Sequence, residues 1–260
     1  MLIDSHCHLD RIDLAPYQHS FAEYMRHATE QGLEYLLCIA IDLQSYPALR
    51  ALVADYRTIS LSVGVHPNVT EGQEPTFDTL MALASDPKVI AIGETGLDYY
   101  RSGGDLSWQH ERFKRHIAVA KALHKPLIIH TRQAQADTIR LLREENAQQV
   151  GGIIHCFSED WDFAQQALDL GFYLSFSGIV TFNSAKAIQE VAQRVPANRF
   201  LIETDAPYLA PVPFRGKPNY PHYVKQVAEK LATLREVSYS EIALLSTQNF
   251  YTLFGMTSRS

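Results

Sequence analysis

Eight short apolar runs, each followed by a longer amphipathic stretch, predict an α/β protein of the (β/α)8 TIM-barrel class. The runs are rich in Ile, Val and Leu, as parallel strands buried on both faces require. The Gly-rich first turn of an open dinucleotide-binding sheet is absent, which favours a closed barrel. A length of 260 residues suits one domain over 1–260, because α/β barrels routinely form a single unit of roughly 250 residues.

Taken in order, the strands are expected at Leu2–Ser5, Tyr35–Ala40, Ile59–Val63, Val89–Ile92, Leu127–Ile129, Gly152–Ile154, Tyr173–Phe176 and Phe200–Ile202. Helices are expected at Ala22–Gln31, Tyr46–Tyr56, Phe77–Ala84, Leu106–His124, Ala134–Glu145, Ala185–Arg194, His222–Ala232 and Ser240–Phe254. In the fourth of these, Phe113, Ile117, Ala120 and Leu123 repeat at the helical period and form one apolar stripe. A further helix is bracketed by Asp160 as N-cap and Gly171 as the residue after its end.

Composition limits the function. The formal charge of −6 gives no general attraction for nucleic acid, whose non-specific binding depends on Lys and Arg at phosphates. Affinity for a phosphate must therefore come from a local site. Cys7, Cys38 and Cys156 form an odd set without C-x-x-C spacing, so buried thiols in a reducing compartment are expected rather than disulfides. The N-terminus lacks the basic region and apolar core of a signal peptide. The longest apolar run, Tyr35 to Ile41, is far short of the roughly 20 residues that span a bilayer. A cytoplasmic protein without a membrane or obligate protein partner is the expectation.

In a barrel, catalytic side chains come from the C-terminal ends of the strands. Those ends read Ser5-His6-Cys7-His8, Gly64-Val65-His66-Pro67, Gly93-Glu94-Thr95-Gly96-Leu97-Asp98, His130-Thr131-Arg132, His155-Cys156-Phe157 and Glu203-Thr204-Asp205. One His-x-His pair carries little weight, since random placement of 11 histidines gives roughly 0.5 such pairs. Placement carries the weight instead: strands 1, 4, 5, 6 and 8 all finish in His or a carboxylate. Residues i and i+2 of an extended chain face the same way, so His6 and His8 aim together while Cys7 faces away. Four imidazoles (His6, His8, His130, His155) with Glu94 and Asp205 exceed one tetrahedral shell. They suit two divalent cations bridged by Glu94. His-rich ligation favours Zn, Mn, Fe, Co or Ni over Mg, although availability can override that order.

Lined up in order, these motifs resemble the TatD family of metal-dependent deoxyribonucleases, within the amidohydrolase-like barrels. The resemblance runs from Ile3 to about Phe254 and includes Lys125-Pro126, Ala206-Pro207-Tyr208-Leu209 and Arg215-Gly216-Lys217-x-Asn219. It implies a first metal on His6, His8, Glu94 and Asp205, and a second on His130, His155 and the shared Glu94. Where the family commonly has Asn-Glu-Pro, this chain has Asn219-Tyr220-Pro221. No Lys ends a strand, so Glu94 takes the bridging place that a modified lysine fills in other amidohydrolases.

The expected activity is hydrolysis of DNA phosphodiesters by metal-activated water, as a 3′-end exonuclease on single-stranded or frayed ends. Glu94 and Asp205 are the catalytic candidates, with Asp205 able to take the water's proton. His66, Arg132, Arg215 and Lys217 are candidates for the phosphate. Arg132 has the alternative of pairing a rim carboxylate, and Arg215 and Lys217 that of a solvated loop. Glu203 has either a structural or a ligand role. Tyr99, Tyr100 and Tyr208 either stack on bases or pack the rim. The alternative substrates are a small ester, amide, lactone or phosphoester. A non-enzymatic metal-binding module is the remaining alternative, disfavoured by so complete a ligand set.

Overall fold

The computed structural model describes residues 2–256. All eight expected strands form: β1 (Leu2–Cys7), β2 (Leu33–Cys38), β3 (Ile59–Val63), β4 (Val89–Asp98), β5 (Leu127–Arg132), β6 (Gly152–Ile154), β7 (Tyr173–Phe176) and β8 (Phe200–Ile202). They make one eight-stranded sheet whose spatial order follows the chain, β1 through β8. The last strand returns to the first, with the chain beyond β8 bridging to β1 at Cys7 and Ala206. This is the (β/α)8 barrel that the alternation of apolar runs and amphipathic stretches predicts.

The helices are α1 (Phe21–Glu30), α2 (Tyr46–Leu52), α3 (Phe77–Ala84), α4 (Ser107–Leu123), α5 (Gln135–Glu144), α6 (Trp161–Asp169), α7 (Lys186–Arg194), α8 (Val224–Arg235) and α9 (Tyr239–Leu253). Their starts follow local chemistry. Ser20, Thr76 and Ser238 accept the N–H of the third residue onward and cap α1, α3 and α9. Gly171 follows α6 at φ +81°, a conformation that costs glycine nothing. α2 is shorter than its expected range and stops at Leu52.

The chain forms two compact units. Among the described residues the first comprises 2–38, 156–161 and 174–256, and the second 39–155 and 162–173. In the first, Leu36, Phe176, Phe200, Val227, Leu231 and Phe250 are buried where α8 and α9 cover β1 and β8. In the second, α4 covers β4 with Phe113, Ile117 and Ala120, all fully buried. Each large apolar side chain buried this way contributes about 1.5–3 kcal/mol relative to exposure. Leu123, expected at the end of that stripe, is only half-buried. Cys7 and Cys38 are buried free thiols, whereas Cys156 is half-exposed, a correction to the expectation of three buried ones. No helix among the described residues is long and apolar enough to cross a membrane.

Candidate metal centre

Three of the strands run further than their apolar stretches suggest. His6 lies inside β1, Glu94 inside β4 and His130 inside β5 rather than beyond their ends. In β4 the register to β5 slips between Ile92 and Thr95, which breaks the simple alternation where Glu94 stands. His155 directly follows β6, and Asp205 lies just beyond β8.

In the first unit, His6, His8 and Asp205 form one group. Asp205 Oδ1 lies 3.5 Å from His6 Nε2 and 3.4 Å from His8 Nε2. The two rings meet edge to face with centroids 5.1 Å apart. Backbone pairing sets this arrangement: Asp205 N–H donates to His6 O at 2.9 Å, and His8 N–H to Ala206 O at 2.8 Å. Asp4, fully buried, ties the same two segments together. Its carboxylate accepts from the backbone N–H of His6 and Thr204 and from the Thr204 hydroxyl. Asn219 then holds the following turn, donating through Nδ2 to the carbonyls of Thr204 and Tyr208. Two imidazoles and one carboxylate on one face are a donor set for a divalent cation.

In the second unit, one carboxylate oxygen gathers three imidazoles. Glu94 Oε1 lies 2.8 Å from His155 Nε2, 3.3 Å from His130 Nδ1 and 3.3 Å from His66 Nε2. Burial pushes the Glu94 carboxyl upward, but the rings of His155, His66 and His130 overcome it and hold it well below the usual carboxylate range. An ionised, buried carboxylate among imidazoles also suits a divalent cation. The structure thus brings His66, expected at substrate, into the same cluster as the expected ligands. Asp98 completes it, 3.0 Å from His130 Nε2.

A polar stripe on α4 supports this cluster from behind. Gln109, Arg112 and His116 are buried although they are polar. Gln109 brackets Asp98, accepting its N–H and donating to its carbonyl. Arg112 donates to the carbonyls of His66 and Val69 and pairs with Glu74. His116 accepts the Val65 N–H at 3.0 Å. Sequence reasoning missed these three, together with Asp4 and with Asn68, whose Nδ2 donates to Asp98 Oδ2 at 2.8 Å. The one signal they carry is their i, i+3, i+7 spacing, which places them on one helical face beside the apolar stripe.

The remaining candidates separate. Arg132 lies 3.8 Å over the Tyr100 ring, and among the described residues no carboxylate pairs with it. Arg215 lies over the Phe182 ring and Lys217 is exposed; neither hydrogen-bonds to the His6–His8–Asp205 group. Glu203 is buried and accepts the Cys156 N–H at 2.8 Å. The Tyr99 hydroxyl is committed to Asp137 and His110. Tyr208 is 48% exposed and meets His8 edge-on.

A parallel barrel sheet with imidazole–carboxylate groups at the C-terminal ends of its strands defines the class of metal-dependent hydrolases. Comparison with known proteins agrees. The family profile described as TatD related DNase matches residues 3–255. The metal-dependent hydrolase YcfH of Escherichia coli K12 is 44% identical over 97% of this chain and 95% of its own. YabD of Bacillus subtilis, also described as a metal-dependent hydrolase, is 39% identical over 98% and 99%. The crystal structure of YjjV, a TatD homologue from E. coli K12, superposes with a TM-score of 0.89 at 27% identity over 98% of both chains. This chain belongs to the TatD family of metal-dependent hydrolases, enzymes that cleave bonds with water.

Proposed function

We propose that the protein is a two-metal deoxyribonuclease, with one divalent cation at His6, His8 and Asp205 and one at Glu94, His130 and His155. Zn, Mn, Mg, Co and Ni are the candidate ions. Bound divalent ions lower the pKa of water towards about 7 and neutralise charge on the phosphate oxygens. Asp205 would accept the proton released by the attacking water. The proposed substrate is single-stranded or frayed DNA, trimmed from its 3′ end.

The observation that supports a phosphodiester is Arg132. It stands two residues beyond His130 on β5, so both side chains leave the same face of the strand. Its guanidinium is held flat by Tyr100 and has no carboxylate partner among the described residues. An unpaired guanidinium beside a cluster of metal ligands is a bidentate receptor for phosphate. Arg215 and Lys217 add positive charge in a loop of the first unit, and contact with phosphate is the role we propose for them.

The test compares metal-loaded protein on labelled single-stranded DNA with a panel of small esters, lactones, amides and phosphoesters. Turnover of DNA well above the panel supports the nuclease. Intact DNA beside rapid turnover of a small ester transfers the site to the alternative substrate class.

A further inference from the structure

We infer that Tyr208, Leu209 and Val212 seat a nucleobase adjoining the cleaved phosphate, gripping its face and leaving its edges unread. The inference rests on the nuclease reading above and deepens it, because a base can lie on this seat only after it has left its own stack.

Exposed apolar side chains scattered singly are ordinary, whereas a cluster of them marks a contact surface. Among the described residues six large apolar side chains are exposed, and three of these fall within five positions: Tyr208 at 48%, Leu209 at 37% and Val212 at 48%. They follow closely on Asp205 in the chain. Tyr208 meets the His8 ring with centroids 6.0 Å apart, and His8 Nε2 is 3.4 Å from Asp205 Oδ1. One sugar separates a phosphate from its base. A phosphate held at the His6–His8–Asp205 group therefore brings an adjoining base within reach of the Tyr208 ring.

The seat is built before anything binds. The Tyr208 N–H donates to Asp205 O at 2.8 Å, and Asn219 Nδ2 donates to the Tyr208 carbonyl. The Val212 N–H donates to Thr181 Oγ1 at 2.9 Å, and the Thr181 hydroxyl donates to Gly178 O at 2.6 Å. Leu209 stands at φ +58°, a costly conformation for a leucine. Its carbonyl presses into the space that a Cβ on Gly178 would occupy, so only glycine fits there. Phe214 stacks on Tyr223 with ring centroids 4.0 Å apart. A surface fixed in advance loses little freedom when its ligand arrives.

Charge selects the occupant. The whole chain carries −6, yet from Ala206 to Ala228 it holds Arg215, Lys217 and Lys225 and no carboxylate. Arg215 is placed by the Phe182 ring at 4.4 Å, and Lys217 is exposed. An apolar face beside cations matches a strand in which bases alternate with phosphates. Stacking uses the face that every base possesses, so the seat implies little preference among the four. A base still paired and stacked in a duplex cannot present that face, which ties the seat to single-stranded or frayed ends.

Cleavage-resistant phosphorothioate oligonucleotides, each carrying one 2-aminopurine near the 3′ end, report stacking as a loss of fluorescence. With zinc-loaded protein one position should be quenched. The quench should vanish in Tyr208→Ala and return in Tyr208→Phe, which keeps the ring. An abasic residue at that position should weaken binding to the natural protein about 5–100-fold, and to Tyr208→Ala less than about twofold. In cleavage assays Tyr208→Ala should raise KM by the same factor and lower kcat far less. No quenched position, equal quenching in Tyr208→Ala, or an abasic strand held by the natural protein as tightly as its parent would overturn the seat and leave the nuclease standing. Failure to bind any strand, in protein shown to carry its ions, would overturn the nuclease reading and the seat with it.

Discussion

The guanidinium of Arg132 stacks 3.8 Å above the ring of Tyr100, and that residue is 57% exposed. The stack orients a charge that no neighbouring carboxylate among the described residues neutralises. Arg132→Ala is expected to lower kcat/KM on single-stranded DNA about 10–100-fold, the value of a hydrogen bond to a charged group. Tyr100→Ala should cost only roughly 2–5-fold, since an exposed cation–π contact is weak. Arg132→Lys should not rescue, because an ammonium lacks the planar fork. Steady-state kinetics on one oligonucleotide checks all three; full activity in Arg132→Ala would remove this residue from phosphate binding.

The first proposed cation site depends on Asp205 as much as on its imidazoles. Asp205→Asn keeps the shape but removes the only carboxylate among its three members. Metal analysis after gel filtration should find one equivalent fewer than in the natural protein, while the melting temperatures of the two metal-free proteins agree. Retention of every equivalent would move that ion elsewhere.

Asn219 should matter to both stability and metal. Its side chain is fully buried and donates to two carbonyls of the turn that carries Asp205. Asn219→Ala leaves those acceptors unpaired, a loss of about 1–3 kcal/mol. Urea unfolding measures it, and zinc titration should show weakened binding at the His6–His8–Asp205 group only.

Much of this was legible in the sequence, for physical reasons. The strands are short apolar runs bounded by polar residues, so their number and order could be read directly. The candidate ligands follow from the rule that barrel chemistry gathers at strand ends. Where the strands stop was not legible, because Glu94 stands at a register slip that no local pattern announces. The stripe Gln109–Arg112–His116 was hidden because helical periodicity assigns polar residues to the solvent side. Asn68 and Asn219 lie in loops, and their partners are distant in sequence.

His116 gives the protein a pH-dependent stability. Burial, opposed in part by its bond to the Arg112 carbonyl, lowers it from 6.5 to about 4. The unfolded chain takes up the proton below about 6.5, while the folded chain resists until about 4. Its contribution is therefore complete above 6.5 and is lost as pH falls to 4. That loss is about 3.5 kcal/mol, at roughly 1.4 kcal/mol for each pH unit of the window. Urea unfolding of the natural chain and His116→Gln across this window should show the shallower pH slope in the variant. Equal slopes would mean that His116 titrates normally.

The central claim is metal-dependent hydrolysis of DNA from its 3′ end. Protein stripped by chelation and reloaded with Mg, Mn, Co or Zn is incubated with single-stranded oligonucleotides blocked at the 3′ or the 5′ terminus. Stepwise shortening of the 5′-blocked strand alone, only after reloading, is the predicted result. Both strands remaining intact with every metal, in protein shown to carry its ions, would contradict it.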